Sequence, residues 1–183
     1  MKARRSEIMQ VAYDMLGQSG LEAVHARTVA QAVGINHATV HYYFPRRTDL
    51  LVGVAEHALN LLRADRAKFQ EGLKSAEDKI EGELALAEAY SKPTSRFGKV
   101  LAGLTAAATS EPEVKDRINE IWREWTGELT PHLAKAKLRK STPYRDADLL
   151  VGSFFGFIIA SHLTDGAFNA QAKIDEVFTS MFG

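Results

Sequence analysis

Thr28–Leu51 reads TVAQAVGINHATVHYYFPRRTDLL, and this stretch decides how the rest of the chain is understood. Val29, Ala30 and Val33 recur at helical spacing and form a small apolar face. Gly34 permits a sharp turn, Ile35 anchors it, and Asn36 is a good N-cap for a helix from His37 to about Tyr43. Pro45 breaks that helix, and a further one opens at Arg46 or Arg47. A short helix, a glycine-containing turn and a second short helix make a helix-turn-helix signature. Here it leaves through an aromatic, basic segment, Tyr42-Tyr43-Phe44-Pro45-Arg46-Arg47.

Working outward, Ile8, Val11, Ala12, Met15 and Leu16 predict a first helix beginning near Arg4, with Gly20 as its stop. The helix after Pro45 runs to about Lys68 on Leu50, Leu51, Val54, Ala58, Leu61 and Leu62. Glu71, Gly72 and Ser75 mark a linker, and the character of the sequence then changes. A fifth helix ends at Ser91-Lys92-Pro93, and a sixth runs from Arg96 to about Thr109. Ser110-Glu111-Pro112-Glu113 has the form of a capping box and opens a long helix that Pro131 should kink or split. Lys135–Lys140 reads as the cationic end of that helix, and Ser141-Thr142-Pro143 as a turn. Two more helices follow, Tyr144 to about Asp165 and about Ala170 to Met181. No stretch alternates with period two between hairpin turns. The expected fold is all-α, about nine helices: a helix-turn-helix domain over 1–50, joined by helix four at about 46–68 to a ligand-binding and dimerisation domain over 69–183.

The 183 residues are 45% hydrophobic and 25% charged, with zero formal net charge. Residues 1–50 nevertheless hold six basic residues against four acidic ones, a net of +2 that suits a DNA-binding front end. With no cysteine, disulfide scaffolds, thiolate metal sites and cysteine nucleophiles are excluded. The longest uncharged run, Leu149–Thr164, has 16 residues, short of the roughly 20 that span a bilayer. The N-terminus carries no signal-peptide core. A cytoplasmic protein without a membrane segment is expected.

The exposed positions of the third helix are His37, Ala38, Thr39, His41 and Tyr42, while Val40 and Phe44 should face inward. His and Thr bond base edges or phosphates, Ala38 allows close backbone approach, and the Thr39 methyl suits a thymine methyl. Arg46 and Arg47, at the positive end of helix four, form a candidate phosphate clamp. Lys2, Arg4 and Arg5 form a candidate flexible arm along the DNA backbone or minor groove. His37 and His41 have the i, i+4 spacing of a zinc helix, but Ala38 stands where the glutamate of His-Glu-x-x-His belongs, and no third ligand is evident. Neither a metal nor any other cofactor is expected. Without a nucleophile elbow, P-loop or glycine-rich phosphate loop, the chain is not expected to be an enzyme.

Taken together, AYDMLGQSGLEAV, TVAQAVGIN, the T-V-H-Y-Y-F run and R-x-D-L-L resemble the TetR family of transcriptional regulators over about Arg4 to Leu62. Beyond residue 75 only the order and length of the helices match. The resemblance implies that the third helix enters the major groove and that Tyr42 and Arg47 bind phosphate. His25 stands at the helix-two N-cap, where the family usually has Thr or Ser that also touches phosphate. His41 replaces a frequent tyrosine and His37 a common lysine, so base readout at those positions is expected to depart from the family's. The resemblance also implies an effector cavity among helices five to eight. Tyr90, Phe97, Leu101, Trp122, Trp125, Phe154, Phe155, Phe157 and His162 are candidate lining residues, with ordinary core as the other reading. Gly152 and Gly156 give a G-x-x-x-G spacing for close helix approach, so a homodimer through about 144–182 is expected. Its partners would be a palindromic double-stranded DNA operator and a small, mainly apolar effector, and its role that of a repressor. A helical enzyme with a positioned acid–base pair near His162, or a helical protein-interaction module that does not bind DNA, are the competing readings.

Overall fold

The computed structural model describes residues 2–136, 142–164 and 167–182. Lys137–Lys140, Ser141 and Asp165, assigned above to a helix end, a turn and a helix end, lie outside that set, as do the side chains of Lys2 and Met181. The described residues form nine α-helices and no strand: α1 Lys2–Ser19, α2 Ala26–Val33, α3 His37–Tyr43, α4 Arg47–Phe69, α5 Ala76–Ser91, α6 Arg96–Ala107, α7 Pro112–Lys135, α8 Pro143–Leu163 and α9 Ala170–Phe182, with a 3-10 turn at Leu21–Ala23. Two compact units divide the chain, Met1–Leu61 with Lys99–Asn119, and Leu62–Gly98 with Glu120–Gly183. The boundary falls within α4, α6 and α7, so the units are interleaved along the chain, whereas the sequence reading is sequential.

In the first unit, Ile8, Ala12, Leu16, Val24, Val29, Val40, Phe44, Leu50, Leu51 and Val54 are buried. Val40 and Phe44 face inward, as their spacing predicts. Gly34 has φ 76° and ψ 32°. Its N–H bonds the Gln31 carbonyl at 3.2 Å and that of Ile35 bonds Ala30 at 3.0 Å, the paired bonds of a Schellman stop. Asn36 then caps α3, its Oδ1 accepting the Ala38 N–H at 2.9 Å. Gly53 makes room for Phe44, because a Cβ there would lie 2.7 Å from the Phe44 ring.

Helix α1 begins at Lys2, earlier than expected, so the N-terminal residues form no loose arm. Arg4 pairs with Glu7 at 2.6 Å. Arg5 pairs with Glu56 at 2.8 Å and lies over the Phe44 ring. Ser110 does not cap α7. With Pro112 as the first helical residue the cap position moves to Glu111, and the Ser110 hydroxyl donates instead to the Ala107 carbonyl that ends α6.

In the second unit, Trp125, Leu129, Leu86, Ile80, Phe154 and Ile158 are buried at 1% exposure or less. Helix α7 continues through Pro131 to Lys135 and is not split. The carbonyl left without a donor is that of Gly127, which is exposed like Pro131 itself, so water can bond it. Helix α8 has 21 residues and is long and apolar enough, by length and composition, to cross a bilayer. Its Ala147, Leu150, Val151, Phe154 and Ile158 are nevertheless buried inside the unit, as in a core helix.

Candidate nucleic-acid interface

Because Val40 and Phe44 are held inward, helical geometry turns His37, Ala38, His41 and Tyr42 outward. All four are exposed, Tyr42 at 69%, and Thr39 is half-buried beside them. The His37 and His41 rings meet edge to face at 6.0 Å, and Tyr42 and Tyr43 do so at 5.1 Å. His41 Nδ1 lies 3.4 Å from the Pro45 carbonyl oxygen; a proton there leaves Nε2 as an acceptor.

Next to this row, the start of α2, the end of α3 and the start of α4 enclose a cavity of about 290 Å³ lined by His25, Arg27, His41, Phe44, Arg46 and Arg47 among others. His25 precedes α2 and is exposed. The Thr28 hydroxyl accepts the His25 N–H at 3.2 Å and donates to the Ala23 carbonyl at 2.7 Å, stitching the helix start. Arg27 is absent from the sequence-based candidates. A cation in a first helical turn opposes the helix dipole, and that misplacement is the signal that could have found it.

The two arginines of the expected clamp differ. Arg47 is half-buried and turned inward, donating to the carbonyls of Val24 at 3.2 Å and Leu21 at 2.8 Å, so it braces the entry to α2. Arg46 is exposed but fully engaged. Its Nη2 and Nε donate to Asp49, the former at 2.6 Å, and its Nη1 to Glu113 at 3.0 Å. Asp49 foremost, and then Glu113, hold the Arg46 guanidinium above its ordinary pKa. Arg46 in turn lowers the Asp49 carboxyl.

In the second unit the candidate effector aromatics pack on one another. Tyr90 stacks on Phe97 at 3.9 Å, and Trp125 meets Phe154 at 5.4 Å and Phe155 at 6.2 Å. Trp122 lies 5.2 Å from Phe155, and Phe157 is 5.6 Å from Phe168. His162 sits between two carbonyl oxygens, Nδ1 at 2.8 Å from Ile158 and Nε2 at 3.3 Å from Ser95. Leu101 belongs to the first unit, where it is buried. A cavity of about 440 Å³ opens along α7 and the start of α8, lined by Trp122, Thr126, Gly127, Thr130 and Tyr144 among others. Of the expected set it includes Trp122. The two glycines of the G-x-x-x-G spacing part company: a Cβ at Gly152 would lie 3.2 Å from the Trp122 ring, whereas Gly156 faces open space. Among the described residues no group of three His, Asp or Glu could hold a metal ion.

Residues 8–54 match the family model described as bacterial regulatory proteins, tetR family. Over 151 residues the chain is 22% identical to the nucleoid occlusion factor SlmA of Pectobacterium carotovorum subsp. carotovorum (strain PC1), covering 82% of this chain and 76% of that protein. The crystal structure of a TetR transcription regulator from Haloarcula marismortui ATCC 43049 superposes with a TM-score of 0.87 at 16% identity, over 100% of both chains. A TetR-family transcriptional regulator from Agrobacterium tumefaciens does so with a TM-score of 0.80, also at 16% identity, over 100% of this chain and 99% of that one. These likenesses establish the fold, and the family match covers the helix-turn-helix. Residues 8–54 thus carry the helix-turn-helix region of the tetR family of bacterial regulatory proteins, within a chain that has the fold of TetR transcription regulators.

Proposed function

We propose that this regulator is a cytoplasmic homodimeric repressor that leaves a palindromic operator when a small, mainly apolar effector binds its second unit. One observation carries the DNA-contact reading: the outward row His37, Ala38, His41 and Tyr42 borders a cavity lined by three arginines. His37, Ala38, Thr39 and His41 read base edges, while Tyr42, Arg27, Arg46 and the exposed His25 meet phosphate. The dimer uses α8 and α9. Leu149 and Leu163, 54% and 76% exposed, together with Gly156, give α8 an apolar outer face that a second copy would cover. A two-fold dimer presents two recognition helices about 34–36 Å apart, one per successive major groove. The effector acts by binding more tightly to a dimer whose recognition helices are misspaced, and the cavity beside Trp122 and Tyr144 is its candidate site.

Selection of bound duplexes from genomic DNA, with and without candidate effectors, tests the regulator as a whole. For the interface, Tyr42→Phe should weaken operator and mixed-sequence duplex alike by about tenfold, the loss of one hydrogen bond to a charged acceptor. Arg27→Gln should lower the salt slope of binding by about one. Arg47→Ala, in contrast, should lower thermal stability as well as affinity, because it removes the brace on Leu21 and Val24. Unchanged affinity and slope in the first two variants would remove Tyr42 and Arg27 from the interface.

A further inference from the structure

The starts of α4 and α7 are tied together by two side-chain bonds. Arg46 Nη1 donates to Glu113 at 3.0 Å, and the Thr48 hydroxyl donates to Glu111 at 2.6 Å. Asp49 has a local explanation. It stands in the opening turn of α4 and accepts the Arg46 N–H at 2.8 Å, the carboxylate half of a capping box. Glu113 has none. It is about half exposed, lies 67 residues along the chain from Arg46, and takes the one guanidinium nitrogen that Asp49 leaves over. One guanidinium is therefore shared by two carboxylates, Asp49 and Glu113. A DNA phosphate approaching Arg46 meets a cation already engaged by two carboxylates.

We infer that Glu113 is a positioning residue for DNA binding: it competes with the duplex backbone for Arg46, so the first turn of α7 holds the first turn of α4 out of service until a phosphate displaces it. The inference rests on the reading that Arg46 meets phosphate. When the duplex takes Arg46, Glu113 is left without its partner and takes up a cation from solution while the phosphate loses one. The wild-type salt slope is then shallower, by close to one, than the number of phosphate contacts alone would give. Coupling of this kind is reciprocal, so anything that draws α7's first turn away from α4 raises DNA affinity by the factor with which DNA loosens that turn. The same helix carries Trp122, Thr126 and Thr130 of the effector cavity, which puts the latch and the candidate sensor on one element. Thr48 and Glu111 keep the two turns in register while Arg46 changes partner.

The test measures affinity for a mixed-sequence duplex between about 50 and 200 mM salt, because phosphate contacts need no operator. Glu113→Gln should tighten binding by about three- to fivefold, the range of an exposed ion pair, and steepen the salt slope by close to one. Two controls separate the latch from a general loss of negative charge. Asp116→Asn removes a carboxylate one turn along α7 that is not a partner of Arg46, and should give a much smaller gain. In an Arg46→Gln background the gain from Glu113→Gln should shrink to that of the Asp116 control. A Glu113→Gln gain no larger than that control, or one that survives in the Arg46→Gln background, overturns the latch. If no variant, wild type included, binds duplex in a salt-dependent way, the DNA-contact reading falls and the latch with it. If Tyr42→Phe weakens binding while Glu113→Gln changes nothing, the latch falls alone.

Discussion

The two ends of α4 treat charge in opposite ways. At its start, Arg46 is 61% exposed and holds carboxylates that water can also reach. At its end, Arg66 is 6% exposed and bonds Glu83, which is wholly buried, at 2.8 Å. An exposed pair costs little to exchange for a phosphate. A buried pair cannot be opened without stranding a charge in a medium of low polarizability. The start of the helix is therefore fit for exchange and its end for holding structure. The buried pair is also only partly matched. Glu83 Oε1 accepts both Arg66 and Gln70 and the Trp125 side chain also favours its charged form, while the Arg66 Nη2 has no hydrogen-bond partner. Burial pushes the Glu83 carboxyl up, against the pull of Arg66.

The largest expected effect breaks the buried end. Glu83→Ala leaves Arg66 buried and unpaired and should cost about 3–5 kcal/mol, measured by denaturant unfolding. The double variant Arg66→Met, Glu83→Leu should recover most of that loss, because two apolar side chains of similar volume remove both desolvation costs. Arg46→Gln should leave the melting temperature unchanged while lowering duplex affinity. If the Arg46 and Glu83 variants destabilise equally, the contrast between the two ends is wrong.

The same contrast explains what could be read from the sequence. The helix-turn-helix was legible because each of its residues acts locally: Gly34 adopts a left-handed conformation, Asn36 caps the next turn, and Val40 and Phe44 repeat at helical spacing. The outward positions of α3 follow from those inward ones. The tie from Arg46 to Glu113 and the inward bonds of Arg47 were not legible, because they reach a carboxylate 67 residues away and carbonyls 23 and 26 residues away, which no local pattern encodes. The Ser110 box failed for a local reason that was present but outweighed: proline prefers the first helical position and sets the cap one residue later. For the aromatic residues, composition counts bulk but carries no information on whether rings pack on each other or around a void. Tyr90, Phe97, Trp125 and Phe154 do the former.

A smaller effect sharpens the local side of the comparison. A Cβ at Gly34 would meet nothing within 4 Å, so the cost of Gly34→Ala is backbone strain alone at φ +76°. About 1–2 kcal/mol should be lost in the unfolding of the first unit. A loss much larger than that would mean that the turn between α2 and α3 has packing demands beyond its dihedral angles.

The smallest effect lies between the two ends of α4, at His57. Its Nε2 is buried without a hydrogen-bond partner, and its ring meets Tyr13 edge-on at 5.1 Å. Burial lowers its pKa, and the Asp14 charge opposes the shift only in part. The imidazolium is therefore disfavoured in the folded state relative to the unfolded chain, which binds more protons as the pH falls. The stability His57 contributes is fully present above the unfolded value of about 6.5 and is lost as the pH falls through the lower folded value. His132 in the second unit is shifted the same way, by burial first and by Lys79 after it, and adds a loss of the same sign. His57→Gln should therefore shrink, without abolishing, the difference in unfolding free energy between neutral and mildly acidic buffer. The outcome that defeats this reading is an unchanged difference, which would take His57 out of the acid sensitivity of the fold.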